Sequence, residues 1–156
     1  MRRRPQRGTT TVEFAIIALL VMITVFAGLE FGRALFVMNV LTEATRRGAR
    51  LAAVCPIGDP KPASAAIFAN GGGNSPVIAG LTTANVQVQY LDVNGGAIAN
   101  PAGNFGAIRY VNVSIVGFAQ TLLIPSLVTT IPINGFSTTL PRESLGIPRT
   151  GVVTAC

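Results

Sequence analysis

The 156-residue sequence has no histidine, no tryptophan and a single lysine, Lys61. Without imidazole, a Ser-His or Cys-His nucleophile pair and a mixed Cys/His zinc site are both excluded. The only two cysteines, Cys55 and Cys156, cannot complete a tetrahedral zinc site by themselves. The six carboxylates, Glu13, Glu30, Glu43, Asp59, Asp92 and Glu143, are scattered, and no motif brings two together. No serine or threonine stands in a nucleophile elbow. An enzyme would need a site assembled by the fold alone, so no catalytic activity and no cofactor are expected. Asn70-Gly-Gly-Gly-Asn-Ser-Pro76 reads as a flexible loop rather than a phosphate cradle. No strand leads into it, and no Gly-Lys-Ser/Thr follows.

Charge is scarce in one place above all. Phe14-Ala-Ile-Ile-Ala-Leu-Leu-Val-Met-Ile-Thr-Val-Phe-Ala-Gly-Leu29 contains no ionisable side chain. As a helix this run rises about 24 Å, a little short of the roughly 30 Å hydrocarbon core of a bilayer. The apolar pattern continues at helical spacing through Phe31, Leu35, Met38 and Leu41, while Glu30 and Arg33 lie close enough to screen each other. The pattern predicts one helix over residues 9–54, its first half in lipid (about 14–36) and its second half amphipathic.

The formal charge of +6 invites a nucleic-acid reading, but Arg2, Arg3, Arg4 and Arg7 all precede the apolar run. The remaining basic residues are not interleaved with aromatics as a nucleic-acid groove requires, so no nucleic-acid partner is expected. The lipid bilayer is the expected partner. Arginines before an apolar helix place residues 1–8 in the cytoplasm and the rest of the chain beyond the membrane. Arg46, Arg47 and Arg50 do not reverse this, because they lead a long exported domain. An even pair of cysteines suits an oxidising compartment. A Cys55–Cys156 bridge would tie the last residue back to the top of the helix, worth up to about 4.7 kcal/mol for a loop near 100 residues. Two reduced, unrelated thiols are the alternative.

Two processing readings compete. In one, the N-terminal region is a secretory signal cut after Val25-Phe26-Ala27, leaving Gly28 first. In the other, only the basic leader is removed, between Gly8 and Thr9, and the apolar helix stays. Glu13 favours the second, because a carboxylate at the mouth of an apolar helix is costly in lipid and has no use in a discarded peptide. The new amine at Thr9 would stand four residues from Glu13, one helical turn, free to pair within a subunit or between neighbours. In the first turn the carboxylate would also oppose the helix dipole.

Gly8, four residues, then Glu13-Phe14 and an apolar run resemble the processing site of type IV prepilins. Arg7-Gly-Thr-Thr-Thr-Val-Glu-Phe-Ala15, Leu29-Glu-Phe-Gly-Arg33 and Leu41-Thr-Glu-Ala-Thr-Arg-Arg-Gly-Ala-Arg-Leu-Ala-Ala53 are similar to TadE-like minor pilins, or pseudopilins, of the tight-adherence (Flp) pilus. The resemblance covers about the first 55 residues. Arg142-Glu143 resembles the family's ending more loosely, and Ser144 to Cys156 run past it. The resemblance implies a prepilin peptidase cutting after Gly8, and Glu13 and Phe14 guiding assembly into an adhesive pilus. It also implies partners among other pilins and platform proteins at the inner membrane.

In residues 42–54, Glu43 and Arg47 form an i,i+4 pair. Ala44, Ala49, Ala52 and Ala53 offer a smooth face, and Gly48 marks a close approach. That face meets either the chain's own domain or another subunit. Pro56 ends the helix. Beyond it, residues 63–70 read as a short helix with Pro62 near its start. Val86, Val88 and Tyr90 alternate as a half-buried strand, and Asn94-Gly95 is a turn signal. The strongest strand is 108–118, with Val111, Val113 and Ile115 on one face. Residues 120–128 read as a loop or short helix covering the sheet, and Phe136, Thr138 and Leu140 as a last strand. The expected fold is α+β: a long N-terminal helix packed on a small antiparallel sheet of three or four strands, the exported part being 55–156.

Overall fold

The computed structural model describes residues 8–122, 130–147, 151–153, 155 and 156. Its axis is a helix of 46 residues, α1 (Thr9–Val54), about 69 Å long at 1.5 Å per residue. From Thr9 to Phe36 no residue of α1 is buried, and its most apolar 18-residue window has a mean hydropathy of 2.5 with none of it buried among the described residues. From Val37 onward the helix has a covered side made of Val37, Leu41, Ala44, Thr45, Gly48, Ala49, Ala52 and Ala53. These recur every three or four residues, a single stripe along the helix.

Antiparallel sheets close on that stripe. Strands β1 (Val86–Leu91), β2 (Tyr110–Ile115) and β5 (Ser137–Pro141) form one sheet with β2 central, and β3 (Phe118–Thr121) pairs with β4 (Thr130–Ile133) in a second. Val111, Val113 and Ile115 of β2 point at the helix and are buried, as the period-two pattern predicts. The opposite face is polar: Gln89, Asn112 and Thr139 stand side by side across the three strands, and Asn112 Nδ2 donates to Thr139 Oγ1 at 2.8 Å. On the inner side, Thr45 of the helix meets Thr138 of β5, hydroxyl to hydroxyl, at 2.9 Å.

The core falls into two clusters. One gathers Val37, Leu41, Ile67, Ile78, Leu81, Ile115 and Phe118. The other gathers Ala49, Ala52, Tyr90, Ile108, Val111, Val113 and Leu145. Between them, α1 approaches its neighbours closely at Gly48. A methyl there would lie 3.0 Å from both Ala66 Cβ and Val113 Cγ1, and 3.4 Å from the Pro62 carbonyl. The alanine-rich face of residues 44–53 therefore meets the chain's own domain. Gly48→Val is expected to destabilise the domain by about 1–3 kcal/mol, the usual cost of overpacking a filled core. Urea unfolding in detergent would measure it, and an unchanged midpoint would count against this packing.

Several local expectations shift. The short helix, α2, runs Lys61–Ala66 with Pro62 in its first turn, earlier than residues 63–70, because Phe68 takes a left-handed φ of 62° that ends it. The expected strand 108–118 is cut to β2, because Gly117 at φ 64° turns the chain and Phe118 starts a strand of the other sheet. Gln120 and Thr121 thus lie in β3 rather than in a loop or helix, and residues 123–129 lie outside the described residues. The Asn94-Gly95 turn forms, with Asp92 Oδ1 accepting from the Asn94 and Gly96 amides at 2.8 Å each, but it is followed only by a bridge from Leu91 to Ala97.

Candidate functional site

The sequence-predicted residues sit at the two ends of α1. At the entrance, Gly8 lies just outside the helix with φ −84° and ψ −29°, and no side chain caps the first amides. Thr9 is the first helical residue and Glu13 stands one turn above it, both exposed; Phe14 is 73% exposed. No acidic residue lies in the first turn, so the expected position of Glu13 there is corrected by one residue: it opens the second turn, where the dipole acts more weakly. Nothing of the described domain reaches this end. The Gly8–Thr9 bond and the carboxylate are presented on a bare rod.

At the other end the helix is finished by a clasp. Cys55 leaves the helix in extended backbone ahead of Pro56, its amide donating to the Leu51 carbonyl at 2.7 Å. The last carbonyls would be left without partners in a free helix. Here Ala53 O accepts from the Glu143 amide at 3.0 Å and the Leu145 amide at 3.3 Å. Val54 O accepts from the Gly146 amide at 2.6 Å and from Ser144 Oγ at 3.2 Å. Leu145 adopts φ 46° to make this turn, a cost of about 1–2 kcal/mol. Its side chain is 2% exposed, and burying a leucine returns about 1.5–3 kcal/mol. Only glycine fits next, since a Cβ on Gly146 would fall 2.5 Å from Pro56 Cγ. Cys55 and Cys156 stand at disulfide distance beneath this turn, Cα to Cα 5.6 Å. Nearby, burial pushes the Tyr90 phenol above its usual pKa, against a backbone hydrogen bond at Gly58, with Asp59 adding to the rise.

A third feature joins the two halves. The Glu30–Arg33 pair forms on α1, with Arg33 Nε donating to Glu30 Oε2 at 3.2 Å. Arg33 Nη2 donates both to Glu30 Oε1 and to the carbonyl of Thr121 in β3. The i,i+3 spacing signalled the pair, but nothing in the sequence signalled its partner 88 residues on. Higher up, Arg47 pairs with Glu43 at 3.1 Å and stacks 4.7 Å above the Phe68 ring, beside a cleft of about 690 Å³ that also meets Arg50 and Lys61. Among the described residues no three His, Cys, Asp or Glu side chains gather as a metal site would require.

The family model described as TadE-like protein matches residues 8–50. Over these residues, about a quarter of the chain, it is similar to TadE-like proteins. The match takes in the Gly8–Phe14 entrance and nearly all of α1, and stops before the sheets. Comparison with curated proteins and with solved structures gave no match. The helix within this match is long and apolar enough to cross a membrane in its uncovered half, and carries the α+β domain on its other half.

Proposed function

We propose that the chain is a minor pilin of the tight-adherence type. Held in the inner membrane by residues 14–36, with 1–8 in the cytoplasm and 55–156 exported, it is cut between Gly8 and Thr9 by a prepilin peptidase. It then joins other pilins and the assembly platform, and so contributes to a pilus used in adhesion. The observation that carries this reading is the bare apolar half of α1, directly behind a Gly-Thr bond and inside the TadE-like match. A soluble protein would cover that surface, because an apolar face this large left in water drives association. In a pilin, lipid covers it first and other subunits afterwards.

Mass spectrometry of the mature chain tests the proposal. The expected first residue is Thr9. Gly28 would identify a secreted domain, Met1 a plain membrane anchor, and either result would remove the pilin reading in favour of a domain that binds without polymerising.

A further inference from the structure

Where α1 meets β3 there is a second cleft, of about 540 Å³, that neither the processing site nor the clasp uses. Its lining includes Arg33 and Val37 from the helix, Ile78 and Ala79 from the loop before β1, and Phe118 and Gln120 from β3; no carboxylate is among the lining residues. Gln120 is 7% exposed, and its Oε1 has no hydrogen-bond partner. A buried acceptor left empty costs about 1–3 kcal/mol, so the position asks for a donor. Arg33 is the complementary half. Its Nε and Nη2 are taken by Glu30 and the Thr121 carbonyl, which fix the guanidinium plane, while Nη1 is outside those bonds and carries two further N–H donors.

The height of the cleft says what meets it. From Phe14 to Arg33 the helix rises about 29 Å, close to the thickness of a bilayer's hydrocarbon core. With Phe14 at one edge of that core, Arg33 lies at the other, level with the lipid heads on the domain's side. We propose that this cleft binds a phospholipid whose head carries both a phosphodiester and an N–H or O–H donor. The phosphate takes Arg33 Nη1, and the glycerol region lies against Val37, Ile78 and Phe118. The head's donor is met by the Gln120 amide, which turns toward the cleft about its soft terminal torsion. The inference rests on the membrane reading above.

The test uses the full chain in nanodiscs holding equal parts phosphatidylcholine, phosphatidylethanolamine and phosphatidylglycerol, with retained lipid counted by mass spectrometry after gentle extraction. Choline offers a phosphate but no donor. The two donor-bearing lipids are expected to exceed phosphatidylcholine about fivefold, the ratio one net hydrogen bond supports. Gln120→Leu should bring the ratio to parity without lowering stability, since it removes an unpartnered amide, and Ala79→Phe should reduce total retention by filling the cleft. Parity in the unaltered protein, or a preference that survives Gln120→Leu, overturns the inference. So does a dimer that retains no lipid and is broken by Ala79→Phe, which would give the cleft to a second copy. Failure of the protein to enter the bilayer, seen by flotation, would instead overturn the membrane reading itself.

Discussion

Cys156→Ser is expected to cost the α+β domain about 3–4 kcal/mol. The two cysteines are separated by 101 positions. Closing a loop of that size removes denatured-chain entropy worth about 4.7 kcal/mol. The loss should be somewhat smaller than that, because the four hydrogen bonds from residues 143–146 to Ala53 and Val54 survive and still hold the clasp near the helix end. Cys156 is the better position to change. It is exposed, whereas Cys55 is fully buried, and a serine at 55 would add the desolvation of a hydroxyl to the loss of the bridge. Urea unfolding in detergent, followed by the tyrosine and far-ultraviolet signals of the domain, gives the difference. Reducing agent should bring the unaltered protein to the stability of Cys156→Ser and leave the variant where it is. Equal midpoints for the two oxidised proteins, with two thiols open to alkylation, would show that the bridge does not form.

How much of this was legible in the sequence depends on the range of the interaction. The helix from Thr9 to Val54 is written in local terms: an unbroken apolar run, apolar residues continuing at helical spacing, and Pro56 behind Cys55 to stop it. The close approach at Gly48 was legible for the same reason, since a glycine in an alanine-rich helical face has few other uses. The covered side of the helix was not: of Phe31, Leu35, Met38 and Leu41 only Leu41 is buried, and the stripe that packs runs through Val37 instead. Strand β2 showed itself by alternation, but its end did not. Gly117 could as well have continued a strand as turned it, and only the pairing of Phe118 with Ile133 decides. Strand β4 was missed because Ile131-Pro132-Ile133 contains a proline, which demotes a strand reading, yet an edge strand tolerates one. At the candidate site the placing of Gly8, Thr9 and Glu13 at the mouth of α1 (their roles remain the proposal above) was readable because it follows from the helix itself. The clasp and the Arg33–Thr121 link were not. Both join α1 to segments about 90 residues away, and loop-forming residues such as Ser144, Leu145 and Gly146 carry no local mark of the carbonyls they will meet.

Glu13→Ala is expected to leave cleavage after Gly8 intact while lowering incorporation into pili roughly tenfold or more, because a carboxylate at the lipid edge persists only where a partner of opposite charge compensates it. The two effects separate because they draw on different parts of the entrance. The bond proposed to be cut lies at the start of α1, in a stretch that no described part of the domain touches, so a peptidase would meet the same Gly8-Thr9 backbone in either protein. On the proposed reading, assembly uses what cleavage creates. The new Thr9 amine and the Glu13 carboxylate would be one turn apart on an exposed helix surface, away from the described α+β domain. Between subunits, the amine of one and the carboxylate of the next would cancel in the apolar interior of a bundle; with alanine at 13 the amine stays buried and uncompensated. Glu13→Gln separates charge from hydrogen bonding and should assemble about as poorly as alanine, since an amide cannot neutralise an ammonium. Neither variant should alter the unfolding of the domain, whose core begins at Val37. Immunoblots of sheared pili against membrane fractions, with the mature mass checked in each, give the ratio directly. Normal incorporation of Glu13→Ala would show that the carboxylate serves another purpose, and a chain still beginning at Met1 would place its effect at cleavage instead.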